Sequence, residues 1–549
     1  MRKKFTLMTL LAFCVFAVQA QVRYVDEIFD DVEVSSGVVY GVNATLLFLP
    51  VVGQAVPQDL EMDVYTPVGD TETDRPVVLV WHTGNFLPNV TNGQISGTRT
   101  DSSAVEICTQ LARRGYVAAS ADYRLGWNPL AGTQPERALG LIQAAYRGVQ
   151  DGRTAIRYMK RTVDEGNPYG IDPDKVVMWG NGTGGYLVLG AATLDEYTEI
   201  LTTTNGPGKF LLDLDGDGVP ETPMIVPFYH GDINGLDLTI APDGAFGFPA
   251  GDTTNYVNHE GFESDFELMV NVGGSLGDIS WIDENTPPTI SIQSPFDIFA
   301  PYDDAVLIVP TTGDPIVQVQ GAQQIGAAQT ALGNNDVWAD GVFDDEITQE
   351  AIDNSATAGH DYYEGVYPFI NPPNSNMIDE GVVIEWWDPN ALSPPILPDF
   401  PNGVPWNMLP HPSGGTFNDQ GLALNEGMSA EKARGNIAKI MGYVLPRACF
   451  ALDLPCQNEY MMGDATEDLL DNSLVSITPN PVSELMQINS ENGPIQSIQI
   501  YDMNGRMVEQ YNNLNQQSIA ISRTGLVSGM YIVKLEFDNG FLTKKVNVK

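Results

Sequence analysis

Lys175-Val176-Val177-Met178-Trp179-Gly180-Asn181-Gly182-Thr183-Gly184-Gly185 is the stretch that decides the fold. Val176 to Trp179 is a continuous apolar run, the pattern of a strand buried on both faces. The glycines at 180, 182, 184 and 185 mark a tight turn. Tyr186 to Thr193 then runs on in small and apolar residues, as a buried helix does. The stretch predicts a strand, a turn with Gly182 at its apex, and a helix.

The same alternation extends outward. Val77-Val78-Leu79-Val80-Trp81 predicts a second buried strand, ending at His82-Thr83-Gly84-Asn85. Ser103 to Arg114 has helical spacing, with Val105, Cys108 and Leu111 on one face. Tyr116 to Ala121 predicts a third buried strand, ending at Asp122-Tyr123-Arg124-Leu125, and Gln134 to Asp164 a long helix. Upstream, Leu60 to Pro67 alternates like an antiparallel edge strand. Buried strands alternating with helices define an α/β fold with a mostly parallel sheet flanked by helices. Residues 194–267 and 333–428 lack this rhythm and are expected to be irregular insertions or a cap. Ser429 to Tyr443 reads as a capped closing helix.

These landmarks in this order resemble a secreted α/β-hydrolase of the esterase, lipase or feruloyl-esterase-like group. Trp81 to Gly84, Asp122 to Leu125, Asp151 to Lys160 and Gly180 to Gly185 carry the likeness. So does Thr289 to Asp297 followed by Pro301-Tyr302, which resembles the strand and loop that deliver the acid of a triad. In such enzymes a serine at the apex of a G-x-S-x-G elbow attacks an ester, a histidine takes its proton, a carboxylate orients the histidine, and backbone N–H groups hold the oxyanion.

Role by role, the resemblance leaves gaps. Gly182 stands at the nucleophile position, with no side chain to attack. Asp297 occupies the acid position. The last strand is expected to end near Tyr363-Glu364-Gly365, and no histidine follows it. Of the five histidines, His360 is the better base candidate and His411 the other, while His82 belongs to the oxyanion loop. Thr83, Gly84 and Thr183 are the expected backbone donors of the oxyanion hole. A second G-x-S-x-G match, Gly273-Gly274-Ser275-Leu276-Gly277, runs into Pro287-Pro288 without a helix, so Ser275 reads as a loop residue after the strand Phe266 to Val272. Asp213, Asp215 and Asp217, with Gly218, resemble half of a calcium loop, but Met224 stands where a bidentate acid is needed. No cofactor is required, and a structural calcium there is an expectation.

The 549 residues carry a formal net charge of −44. Residues 474–549 hold six acidic and six basic side chains, so the excess lies upstream. That charge argues against nucleic acid and anionic membranes as partners. Residues 1–20, with Arg2-Lys3-Lys4, an apolar middle and Val18-Gln19-Ala20, read as a signal peptide; no later run is long enough to span a membrane. Export would allow Cys449 and Cys456 to pair, and Cys108 reads as a buried free thiol. The hydrolase-like domain is expected over 21–460 and a polar linker over 461–473. Residues 474–549 alternate like a small β-domain, from Ser476-Ile477-Thr478-Pro479 to Lys544-Lys545-Val546-Asn547-Val548-Lys549. This tail resembles the type A C-terminal sorting domain of the Bacteroidetes type IX secretion system, which implies export through the Sec route to the periplasm and then secretion or surface attachment.

Three functions compete on these residues. One is a noncatalytic protein that binds an ester, glycan or peptide; the second is a carboxylic-ester hydrolase with a nonstandard nucleophile or a metal-assisted water; the third, a structural cell-surface protein, rests only on the sorting tail and the acidic surface.

Overall fold

A computed structural model describes residues 21–204, 208–213, 217–370, 384–395, 401–461, 474–502, 506–537 and 540–549. The expected signal peptide (1–20), Asp215, most of the linker and the turn residues 503–505 lie outside them. The chain forms two compact units, Met1–Tyr460 and Met461–Lys549.

The first unit is built on eight strands: β1 Val32–Thr45, β2 Val56–Pro67, β3 Arg75–Trp81, β4 Val117–Ala121, β5 Ile171–Asn181, β6 Leu268–Val272, β7 Thr289–Gln293 and β8 Val366–Pro368. Their spatial order is β1-β2-β4-β3-β5-β6-β7-β8. β2 runs antiparallel to both β1 and β4. All remaining neighbours are parallel. Six helices of eleven or more residues belong to this frame: α1 Ser102–Arg113, α2 Gln134–Asp164, α3 Thr183–Thr193, α4 Ala322–Leu332, α5 Glu346–Ala358 and α6 Ala430–Ala451. This is the α/β-hydrolase architecture.

The pleat sorts the apolar strands onto two cores. Leu79, Trp81 and Met178 pack with Val149 and Ile156 of α2 and Leu187 of α3. Val78, Val80, Val177 and Trp179 face the other way, against Ile107 and Leu111 of α1 and Ile437 and Val444 of α6. Both faces of β3 and β5 are therefore covered, which is why their sequences read as unbroken apolar runs. Two of the sequence landmarks meet in the interior. Arg124 Nε donates to Asp151 Oδ1 at 2.8 Å, and the Arg124 backbone N–H donates to Asp151 Oδ2 at 2.7 Å, with both side chains fully buried.

The regions expected to be irregular need correction. Residues 333–428 contain α5 and also β8, the last strand of the main sheet. β8 has only three residues, too few to show a period. It also begins at Val366, after the stretch where that strand was expected to end. Residues 194–267 hold a short helix, Tyr197–Leu201, and two small strand pairs. α6 runs to Ala451, well past Tyr443, with Pro446 inside it. Buried contacts of Leu445, Ala448, Cys449 and Phe450 outweigh the helix-breaking tendency of that proline. Cys449 is thus helical, and it is bonded to Cys456. Cys108 is buried and free.

The named strands of the second unit pair antiparallel, and one isolated parallel bridge joins Val482 to Val548. β9 Val475–Thr478, β10 Leu485–Ser490 and β13 Ser518–Ser522 form one sheet in the order β9-β10-β13. β11 Ser497–Asp502, β12 Met507–Tyr511, β14 Gly529–Phe537 and β15 Gly540–Val548 form the other, in the order β12-β11-β14-β15. Ile488, Ile498, Ile500, Val533 and Leu535 fill its core.

Candidate functional site

The turn between β5 and α3 lies at the carboxyl ends of the central strands. Trp81 pairs with Gly180, and Asn181 with Val272, so the elbow sits between the ends of β3 and β6. Its glycine frame is set by crowding. A Cβ at Gly180 would lie 2.1 Å from the Gly184 carbonyl oxygen, and one at Gly184 only 2.3 Å from the Trp81 carbonyl oxygen. The helix can approach the sheet this closely only without side chains there. Gly182 at the apex has φ 51° and ψ −112°, and its N–H donates to the Val272 carbonyl at 2.7 Å. That backbone conformation strains an L side chain. The turn has the strained form of a nucleophile elbow, and its apex is bare.

The cleft in front of it encloses about 130 Å³. Gly182, Thr183 and Tyr186 form its floor together with Thr83 and Asn85 from the loop after β3. Asp297, just after β7, lines it, and so do Glu385 and Trp387 from the segment after β8. Gln94, Phe417, Gln420 and Asn425 complete its polar and aromatic walls. A second chamber of about 140 Å³ lies beside it, lined mainly by Leu141, Val149, Phe210, Ile225, Trp281 and Val319. Asn85, Thr183, Tyr186, Leu307 and Pro310 line both spaces.

Of the expected oxyanion donors, the Thr183 N–H has a partner inside the protein. The Thr183 N–H points at the Thr83 hydroxyl at 3.5 Å, and the Asn85 N–H donates to the Thr183 hydroxyl at 2.7 Å. Gly84 has φ 127° and packs against Gly97, which folds the loop after β3 back on itself. His82 is a buried scaffold for this loop. Its Nδ1 lies 2.5 Å from the Thr83 carbonyl, its ring stacks on Tyr123, and its Nε2 is 3.4 Å from Asp122. Burial disfavours the imidazolium, but the Asp122 carboxylate outweighs that and raises the His82 pKa.

None of the five histidines is among the residues lining either space. His360, the better base candidate from sequence, is placed elsewhere. It follows the left-handed Gly359 at the end of α5, its Nε2 is 3.0 Å from Asp303, and its ring packs on Tyr302. His411 touches two cleft-lining residues without lining the cleft itself, its Nε2 3.2 Å from the Gly93 carbonyl and its ring edge-to-face with Phe417. His230 is buried, its pKa pushed down to about 4 by desolvation, and His259 Nε2 contacts the Tyr40 carbonyl.

Asp297 does reach the cleft, where its Oδ1 accepts from the N–H groups of Phe299 and Ala300 at 2.8 and 3.0 Å. Ser275 donates to the Pro301 carbonyl at 2.9 Å and is followed by a single 3-10 turn, Ile279–Trp281, so it sits in no second elbow. Asp213 and Asp217 accept from Gly218 and Val219 N–H groups within their own turn. No group of three metal-ligating side chains occurs among the described residues.

The sequence reading missed Glu385. The residue is 8% exposed, and its carboxylate accepts from the buried Ser103 hydroxyl at 2.8 Å. It comes from the segment after β8, where a hydrolase of this fold carries its base histidine. Its only sequence signal was the unusual Trp386-Trp387 pair beside it.

Comparison with known proteins agrees with this frame. Residues 62–210 match the BD-FAE family, and residues 476–549 match the secretion system C-terminal sorting domain. The curated mouse (Mus musculus) protein carboxylesterase 3B is 28% identical over 159 residues, 29% of this chain and 24% of its own length. The chain thus spans about a quarter of that relative. Among solved structures, an esterase of the planctomycete Thermogutta terrifontis in its propionate-bound form is 18% identical, over 51% of this chain and 78% of its own, with a TM-score of 0.26. A bifunctional GH43-CE protein of Bacteroides eggerthii is 16% identical over 50% of this chain and 29% of its own, with a TM-score of 0.28. The first unit has the α/β-hydrolase fold with an esterase-like BD-FAE segment over residues 62–210, and the sorting-domain match over residues 476–549 implies handling by the type IX secretion system. No described helix is long and apolar enough to cross a membrane.

Proposed function

We propose that this is an exported, noncatalytic binding protein that uses an esterase cleft to hold an ester, glycan or peptide ligand. The observation that carries the reading is the bare Gly182 apex facing a cleft with no histidine in its lining. Covalent ester hydrolysis needs a nucleophile and a base in hydrogen-bond reach; the reading is supported by Gly182, which carries no side chain, and by a cleft lining without histidine among the described residues. The Thr83 hydroxyl beneath the Thr183 N–H supports the same reading, because an oxyanion would compete with it for that donor. Export in this scheme begins with the 1–20 signal peptide and the Sec route, and the tail then hands the protein to the type IX machinery.

A second reading draws on Asp297 and Glu385. Two carboxylates in one cleft are able to polarise a water or contribute to a metal site, which would allow hydrolysis without a serine. The deciding experiment uses residues 21–549 with short-chain 4-nitrophenyl esters. The binding reading expects no turnover above background, with or without added divalent metal. Turnover that vanishes in Asp297→Asn or Glu385→Gln would establish the second reading instead.

A further inference from the structure

We propose that the cleft and its neighbouring chamber together take a ligand in which an ammonium group is joined to an apolar chain or ring. The inference rests on the binding reading above and names the ligand for that same site. Its first support is the sign of the charge. Among the described residues, Asp297 and Glu385 are the ionisable acids of the cleft lining, and no described lysine, arginine or histidine lines either space. Both carboxylates are fixed before any ligand arrives, Asp297 by two backbone N–H groups and Glu385 by the Ser103 hydroxyl. Fixed, partly desolvated carboxylates attract a cation far more strongly than solvated ones do.

The second support is the aromatic wall. Trp387 and Phe417 line the same cleft as the two acids. An aromatic face beside a carboxylate is a favourable setting for an organic cation, and a tetrahedral ammonium gains from both. The third is the inner chamber. Its walls are mainly aliphatic and aromatic, and it shares Thr183 and Tyr186 with the acidic cleft. A ligand filling both spaces must be apolar at one end and positive at the other. An anionic ligand would also face a chain of net charge −44.

Titration calorimetry on residues 21–549 tests this with hexyltrimethylammonium, tetramethylammonium, 1-hexanol and hexanoate. We expect hexyltrimethylammonium to bind at least tenfold more tightly than each of the other three. Glu385→Gln should weaken it about tenfold and leave hexanol binding unchanged, and Asp297→Asn gives the same readout should the Glu385 variant not fold. Ala145→Phe, which fills the inner chamber, should reduce the hexyl compound to the affinity of tetramethylammonium. Equal binding of hexanol or hexanoate, or no binding of the hexyl cation, would overturn the proposal. Ester turnover measured on the same sample keeps the two readings apart. Turnover together with cation-selective binding would remove only the noncatalytic reading. Absence of both turnover and selectivity would remove only the ligand assignment.

Discussion

Asn85 donates its backbone N–H to the hydroxyl of Thr183 at 2.7 Å, which ties the loop after β3 to the first residue of the helix behind the elbow. In the same place the Thr183 N–H faces the Thr83 hydroxyl. The two loops that would shape an oxyanion hole are thereby latched to each other. Thr183→Val keeps the volume and removes the acceptor of the part-buried Asn85 N–H. We expect a loss of about 1–3 kcal/mol, read by urea denaturation. Thr183→Ser, which restores the acceptor, should recover most of it.

Gly182→Ser puts a hydroxyl where esterases carry their nucleophile. It should not create an esterase, because the cleft lining contains no histidine to take the proton. The substitution should instead cost about 1–3 kcal/mol, since φ 51° with ψ −112° is unfavourable for a residue with a Cβ. A stopped-flow search for an acyl-enzyme burst with 4-nitrophenyl butyrate checks the first expectation, and a thermal melt the second.

The buried Arg124–Asp151 pair should respond strongly to removal of one charge. Both side chains are fully buried, and Asp151 also caps the Arg124 backbone N–H. Asp151→Asn leaves a guanidinium without its counter-ion, and we expect a loss of about 3–5 kcal/mol in chemical denaturation. Exposed pairs such as Arg113–Glu27 should change stability by less than about 1 kcal/mol when broken.

Glu267 gives a pH signature. Burial raises its pKa to about 7, although its Oε2 accepts from the Val176 N–H at 2.6 Å. The folded state therefore holds this proton more tightly than the unfolded state, whose value is near 4.5. The sign follows: its contribution to stability is intact below pH 4.5 and declines as pH rises toward 7. Glu267→Gln should match the parent protein at pH 4.5 and melt at a higher temperature at pH 8. Equal melting temperatures at pH 8 would count against the assignment.

Removal of residues 474–549 should stop export while leaving the hydrolase-like unit folded, because the two units are separately compact. Fractionation of the producing cell, with circular dichroism on residues 21–460, checks both parts. Accumulation of the shortened chain outside the cell would show that the tail is dispensable.

The sequence by itself determined the parts of this protein that depend on local pattern. The buried runs at 77–81 and 176–179, the long helix 134–164 and the alternating tail were legible because a residue's facing follows from strand or helix period. The glycine frame at 180–185 was legible for a similar reason, since close approach of helix to sheet leaves no room for a Cβ. The bare apex at Gly182 and the position of Asp297 after its strand could also be read directly. Tertiary structure decided what depends on contacts between distant residues. β8 is too short to carry a period and is defined only by its pairing with β7. Glu385 enters the cleft because it follows that strand, and Ser103, 282 positions away, holds it there. His360 leaves the site because the chain turns at Gly359 and delivers its ring to Asp303. The latch between Thr83, Asn85 and Thr183 joins two loops about a hundred residues apart, and no local spacing encodes such a contact.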